Sequence, residues 1–209
     1  MDETRTHIIL SHLLPLAATS GWTSDNLYQA AAQAGENKQA VSVLFPRGIT
    51  SAISAWQQQL NDQMVARVTA EGWQSDRTRD KIAQCVWTRL QLIADNTSHQ
   101  DAFRQATRQR LFHPVTVKKD LWRSADTIWN VVGDTSTDYN HYTKRALLSN
   151  LLFKTTLSFL GDVSTDYQET RNYLMQQIEQ IITRGQTLGH AKPALQKIWS
   201  VFERMGVRV

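Results

Sequence analysis

Residues 121–145 read LWRSADTIWNVVGDTSTDYNHYTKR, and the fold can be built outward from them. Leu121, Ala125, Ile128 and Val132 recur at helical spacing with Trp122 and Trp129 beside them, which predicts a helix with an apolar side. Gly133 suits the position just past a helix end, because it adopts the left-handed conformation without a Cβ clash. Thr135 and Asp138 then predict the cap of a second helix: a hydroxyl accepts from an unsatisfied N–H, and an acid favours the positive helix end. That helix opens with Tyr139, Tyr142, Lys144 and Arg145 and continues as ALLSNLLFKTTLSFL, apolar on most faces. Two helices joined by so short a turn are expected to pack as roughly antiparallel neighbours.

The same punctuation repeats on either side. GDTSTDY at 133–139 is echoed once by GDVSTDY at 161–167, each copy stopping one helix and capping the next. A further helix over 166–184 carries Tyr173, Leu174, Ile178, Ile181 and Ile182 on one side. Upstream, Thr78 caps a helix marked by Ile82, Val86, Leu90 and Ile93. Ser98 with Asp101 caps another, marked by Phe103, Ala106 and Leu111 and ended by Pro114; VTV at 115–117 reads as loop. The N-terminal part predicts a helix over 4–20 that Pro15 kinks or shortens and Gly21 stops. A short helix capped by Thr23 or Ser24 and stopped at Gly35 follows, then a third near 37–44 and a fourth over 49–69. The expectation is an all-α, TetR-like bundle of about nine core helices. It divides into a helix-turn-helix-like head at 1–70, a helical core at 71–186, to which the resemblance described below assigns ligand binding and dimerisation, and a linker with an amphipathic helix at 187–209. In that last helix Leu195, Ile198, Trp199, Phe202 and Met205 form one stripe and Gln196, Lys197, Ser200, Glu203 and Arg204 the other. Three seats are open to it: its own domain, a partner, or a membrane surface, which the basic residues beside Trp199 and Phe202 favour.

Composition narrows the chemistry. With 209 residues, 41% hydrophobic and 20% charged, the chain can bury one substantial core. Seven Trp residues suit a wide apolar interior or an interface, and a net charge of +4 is a mild basic bias that selects no partner. Cys85 is the only cysteine, so no intramolecular disulfide can form; its inward helical position reads as an inert thiol. Leu147 to Leu160 is interrupted by Ser149, Asn150, Lys154 and Ser158 and does not read as a spanning helix. His7, His12, His99, His113, His141 and His190 are scattered, with no HExxH or CxxC spacing, no GxSxG and no phosphate-binding glycine loop. Asp134 and Asp138 flank a turn and read as caps. No catalytic residue, metal or cofactor is expected, and the chain does not read as an enzyme. The third helix, ENKQAVSV, offers Asn37 and Gln39 to bases but only Lys38 beside Glu36 for phosphates, with Arg47 following. The head therefore reads as a retained scaffold with no nucleic acid partner; a regulator sensing a hydrophobic ligand is the alternative. Trp122, Trp129, Leu147, Leu151, Leu152, Leu157 and Phe159 can serve as plain core, a dimer face or a pocket.

LWRSADTIW followed by GDTSTDYNHYTKR resembles the signature of the ubiquinone (coenzyme Q) biosynthesis lipid-binding family. GWTSDNLYQAAAQAG, LFPRG at 44–48 and DVSTDYQETRNYLMQQIEQI extend the resemblance over nearly the whole chain. It implies a homodimeric TetR-like fold turned from DNA to lipid, which holds isoprenoid lipids, quinone intermediates among them, between its C-terminal core helices. It further implies that the terminal amphipathic helix reaches the membrane surface and that the lipid is presented to a di-iron hydroxylase of the ubiquinone pathway. Carried over by position, the pocket falls on Trp122, Ile128, Trp129, Leu147, Leu148, Leu151 and Leu152, and the partner-facing surface on Asp134, Tyr142, Lys144 and Arg145. The sequence departs from the family at His141, where members commonly carry Trp, an aromatic anchor of the kind that dominates interfaces. MDETRTH shows no signal core and no transit pattern, which leads to the expectation of a bacterial cytoplasmic protein at the inner face of the inner membrane.

Overall fold

The structure, a computed structural model, describes residues 2–136 and 139–189, with side chains over 2–136 and 141–181. Their regular secondary structure is entirely helical. They form α1 (Asp2–Ser20), α2 (Ser24–Gln33), α3 (Lys38–Leu44), α4 (Ile49–Glu71), α5 (Thr78–Ala94), α6 (Thr97–Arg110), α7 (Pro114–Val131), α8 (Tyr139–Gly161) and α9 (Gln168–Gly189), with a 3₁₀ turn at Thr165–Tyr167. The all-α, TetR-like expectation stands.

Local chemistry explains most boundaries. Thr23 caps α2 by accepting from the Asn26 N–H at 3.1 Å, and Asn37 caps α3 by accepting from Ala40 at 2.9 Å. Pro15 lies inside α1 without ending it. Gly133 leaves α7 at φ 86°, a conformation a side chain would strain.

Four boundaries differ from expectation. Thr78 is the first residue of α5 and does not cap it; Ser75 accepts from the Arg77 N–H at 3.2 Å and donates to Asp80 at 2.8 Å. Asn96, two residues before Ser98, caps α6 by accepting from His99 at 3.2 Å. Residues 115–117 are helix, not loop. Pro114 supplies the preset φ of a first helical residue, and Val117 donates to the His113 carbonyl at 3.1 Å. Finally, α9 runs past Arg184 to Gly189, because one glycine inside a helix costs only about 1 kcal/mol.

Two apolar cores fill the bundle. One gathers Ile9, Leu13, Trp22, Trp56, Leu60, Ile93 and Phe103 between α1, α2, α4, α5 and α6. The other gathers Met64, Val68, Cys85, Val86, Ile128, Leu148, Leu151 and Leu174 between α4, α5, α7, α8 and α9. Helices α4 and α5 run through both, and α1 packs against α6, so the N-terminal helices and the later core share their packing. Among the described residues no helix is long and apolar enough to cross a membrane. The tail stripe of Leu195, Ile198, Trp199, Phe202 and Met205 lies outside the described residues, as does Asp138.

Candidate functional site

The face of α6 that reads Phe103, Ala106, Thr107, Arg110 is spaced for one side of a helix, and it does not close against its neighbours. With α7 and α8 it walls a cavity of about 630 Å³. Val117, Leu121 and Trp122 form the α7 side and Leu152, Phe153 and Leu157 the α8 side. The size is ordinary for one small ligand.

The floor is polar and buried. Arg89 of α5 donates through Nε to Asn61 at 3.0 Å and through Nη2 to Gln57 at 2.6 Å, both neutral oxygens on α4. Burial and, less strongly, the nearby Arg110 lower its guanidinium, Asp120 opposes them, and the net result is about 10, so it stays cationic at neutral pH. Arg110 pairs with Asp120, which also accepts from Ser54 at 2.9 Å and meets Arg123 at 3.6 Å. Gln57 Nε2 and Arg110 Nε, both buried, have no hydrogen-bond partner among the described residues.

Of the seven residues expected to line a lipid pocket, Trp122 and Leu152 line this cavity. Ile128, Leu148 and Leu151 are buried in the second core, Trp129 packs against that core, and Leu147 is exposed on α8. The sequence reading did not reach Arg89, Arg110 or the α6 wall. The signal was there in Arg110, which sits seven residues after Phe103 on the same apolar face.

The expected partner surface splits in two. Arg145 is only 2% exposed and ties the start of α8 to the end of α7, pairing with Asp126, with Asp134 at 3.2 Å and with Asn130 at 3.3 Å. Lys144 reaches the other Asp134 oxygen at 2.6 Å and lies 5.2 Å from the centre of the Trp129 ring. Burial alone would raise the Asp134 carboxyl, but hydrogen bonds from Lys144, Ser136 and Arg145 outweigh it and hold the group at about 2. Asp134 and Arg145 thus lie inside the junction, while Tyr142 is 37% exposed beside His141 and Trp122. His141 does not reach outward as an anchor; its Nδ1 lies 3.0 Å from the Ser136 carbonyl.

Among the described residues no group of three or more His, Cys, Asp or Glu side chains is placed to hold a metal ion.

Comparison with known proteins gives the same direction throughout. A family model described as COQ9 matches residues 115–185, the segment from the start of α7 to α9. The chain is 28% identical over 199 residues to the bovine protein named ubiquinone biosynthesis protein COQ9, mitochondrial, covering 91% of this chain and 61% of the relative. The human protein of that name is 27% identical, with 91% and 62% covered, and the fission yeast one 25% identical, with 82% and 68% covered. The chain spans about six-tenths of the length of the mammalian relatives it matches. The relatives from cattle, human, fruit fly and fission yeast are all named as mitochondrial, which overturns the bacterial cytoplasmic placement. That placement rested on the composition of the first seven residues, which has no force against it. The signature in α7–α9 and the similarity along nine-tenths of the chain agree in likening the chain to the COQ9 ubiquinone biosynthesis proteins.

Proposed function

We propose that this protein is a non-catalytic lipid-binding component of ubiquinone biosynthesis, which takes up an isoprenoid or quinone intermediate at a membrane surface and presents it to a pathway hydroxylase. The observation that carries the reading is the cavity between α6, α7 and α8, whose apolar walls fall largely in the segment that matches the family. Tyr142 and Lys144, on the first turns of α8, are the accessible part of the surface assigned to the hydroxylase. The homodimer and the membrane-seeking tail belong to the same proposal.

Ala146 lies at the solvent side of the cavity, so replacing it by Trp fills the opening while sparing both cores. In cells lacking the gene, ubiquinone content is expected to fall and the wild-type chain to restore it. A folded Ala146→Trp variant is expected to restore it poorly. Full restoration by that variant would separate the cavity from the function.

A further inference from the structure

The charges on the cavity floor do not balance. Two guanidinium groups, Arg89 and Arg110, face one carboxylate, Asp120, whose second oxygen already meets Arg123. Arg89 is hydrogen-bonded to no acid: both of its hydrogen bonds go to neutral amide oxygens, and Asp120, the nearby carboxylate, is paired with Arg110. Arg110 Nε and Gln57 Nε2 add two more buried donors that no acceptor among the described residues receives. A buried cation held by neutral groups is costly to a fold, and buried donors are ordinarily satisfied. An arginine serving only to join α4 to α5 would be better placed beside an acid. Here the surplus charge and the spare donors meet on the buried side of an apolar cavity, where a planar guanidinium is suited to receive a two-oxygen anion.

We infer that this floor is a subsite for an oxyanion head group. Arg89 and Arg110 receive the carboxylate or phosphate of a single-chain amphiphile, and the chain runs outward past Leu121, Trp122, Leu152 and Phe153. The inference rests on the lipid-binding reading above and adds an orientation to it: the ligand enters head first and its tail lies toward the opening. Carried in this way, the head is shielded from water until it is released to a partner.

The test uses the full chain, stripped of lipid, titrated calorimetrically at pH 8 with three probes that share one chain: oleate, oleyl alcohol and 1-oleoyl lysophosphatidate. Oleate is expected to bind about tenfold or more tighter than the alcohol, as a charged hydrogen-bond pair requires. Arg89→Gln is expected to erase that preference while leaving the alcohol's affinity in place. Tighter binding of lysophosphatidate than of oleate assigns the site to phosphate heads, and the reverse order to carboxylates. Equal affinity for oleate and oleyl alcohol, or no binding of any probe, would overturn the subsite; the lipid reading fails separately, when a polyprenyl quinone is not bound either. Should Arg89→Gln fail to fold, Thr107→Glu places an acid on the cavity wall and is expected to abolish the preference for oleate. A preference that survives in the folded variant would exclude the floor as its source.

Discussion

Asp134 and Arg145 were assigned to a partner surface by position in a motif, and the structure gives each of them an internal partner set. A motif read in one dimension cannot separate residues held for packing from those held for contact, because both lie in the same short stretch of sequence. Replacing Asp134 by Asn leaves Lys144 and part of Arg145 without a counter-charge, so a loss of roughly 1–3 kcal/mol in unfolding stability is expected. The pH dependence has a definite sign. The Asp134 carboxyl is depressed to about 2 in the folded protein, so its contribution is present above the unfolded value near 4 and is lost as pH falls from about 4 to 2. Thermal melts across that window should converge for wild type and Asp134→Asn at the acid end; a constant gap would contradict the ion-pair role. Cys85, fully buried and pushed up by that burial to about 12, should not react with a thiol reagent such as dithionitrobenzoate in the native state and should yield one equivalent after unfolding. Rapid native reaction would place it at a surface.

At the level of elements, the order of helices was legible because apolar spacing and glycine stops survive in any context. Caps were less so, since several polar residues near a helix start compete and only the backbone decides among them. In DNTSHQD, Ser98 and Asp101 matched the capping pattern, yet Asn96 has the extended conformation and accepts the hydrogen bond. Asn96→Ala is therefore expected to lower stability by about 1 kcal/mol and Ser98→Ala by much less, read from denaturant midpoints. The opposite ranking would restore the Ser98 cap. Residues 115–117 misled for a related reason: β-branched valines suggest extended chain, but a proline at the first helical position and a bond from Val117 to His113 outweigh that preference.

For the molecule as a whole, the bundle was legible and the cavity was not. Periodicity says which face of a helix turns inward, but not whether the facing helices close on it. The wall on α6 escaped attention because Arg110 and Thr107 interrupt its apolar face, and those residues give the cavity its polar end. Exposed Leu111, Phe112 and Val115, with Phe112 84% exposed, stand at the α6–α7 turn next to the opening, flanked by Arg108, Lys118 and Lys119. The tail supplies a membrane prediction: Trp199→Glu combined with Phe202→Glu should abolish co-sedimentation with liposomes, and unchanged sedimentation would remove the tail from membrane attachment. The most direct measurement is mass spectrometry of an organic extract of the protein purified without strong detergent. A single isoprenoid or quinone lipid at close to one per chain is the result expected of a lipid-binding component of ubiquinone biosynthesis. A protein that carries no lipid, and takes up none when offered polyprenyl quinones, would contradict it.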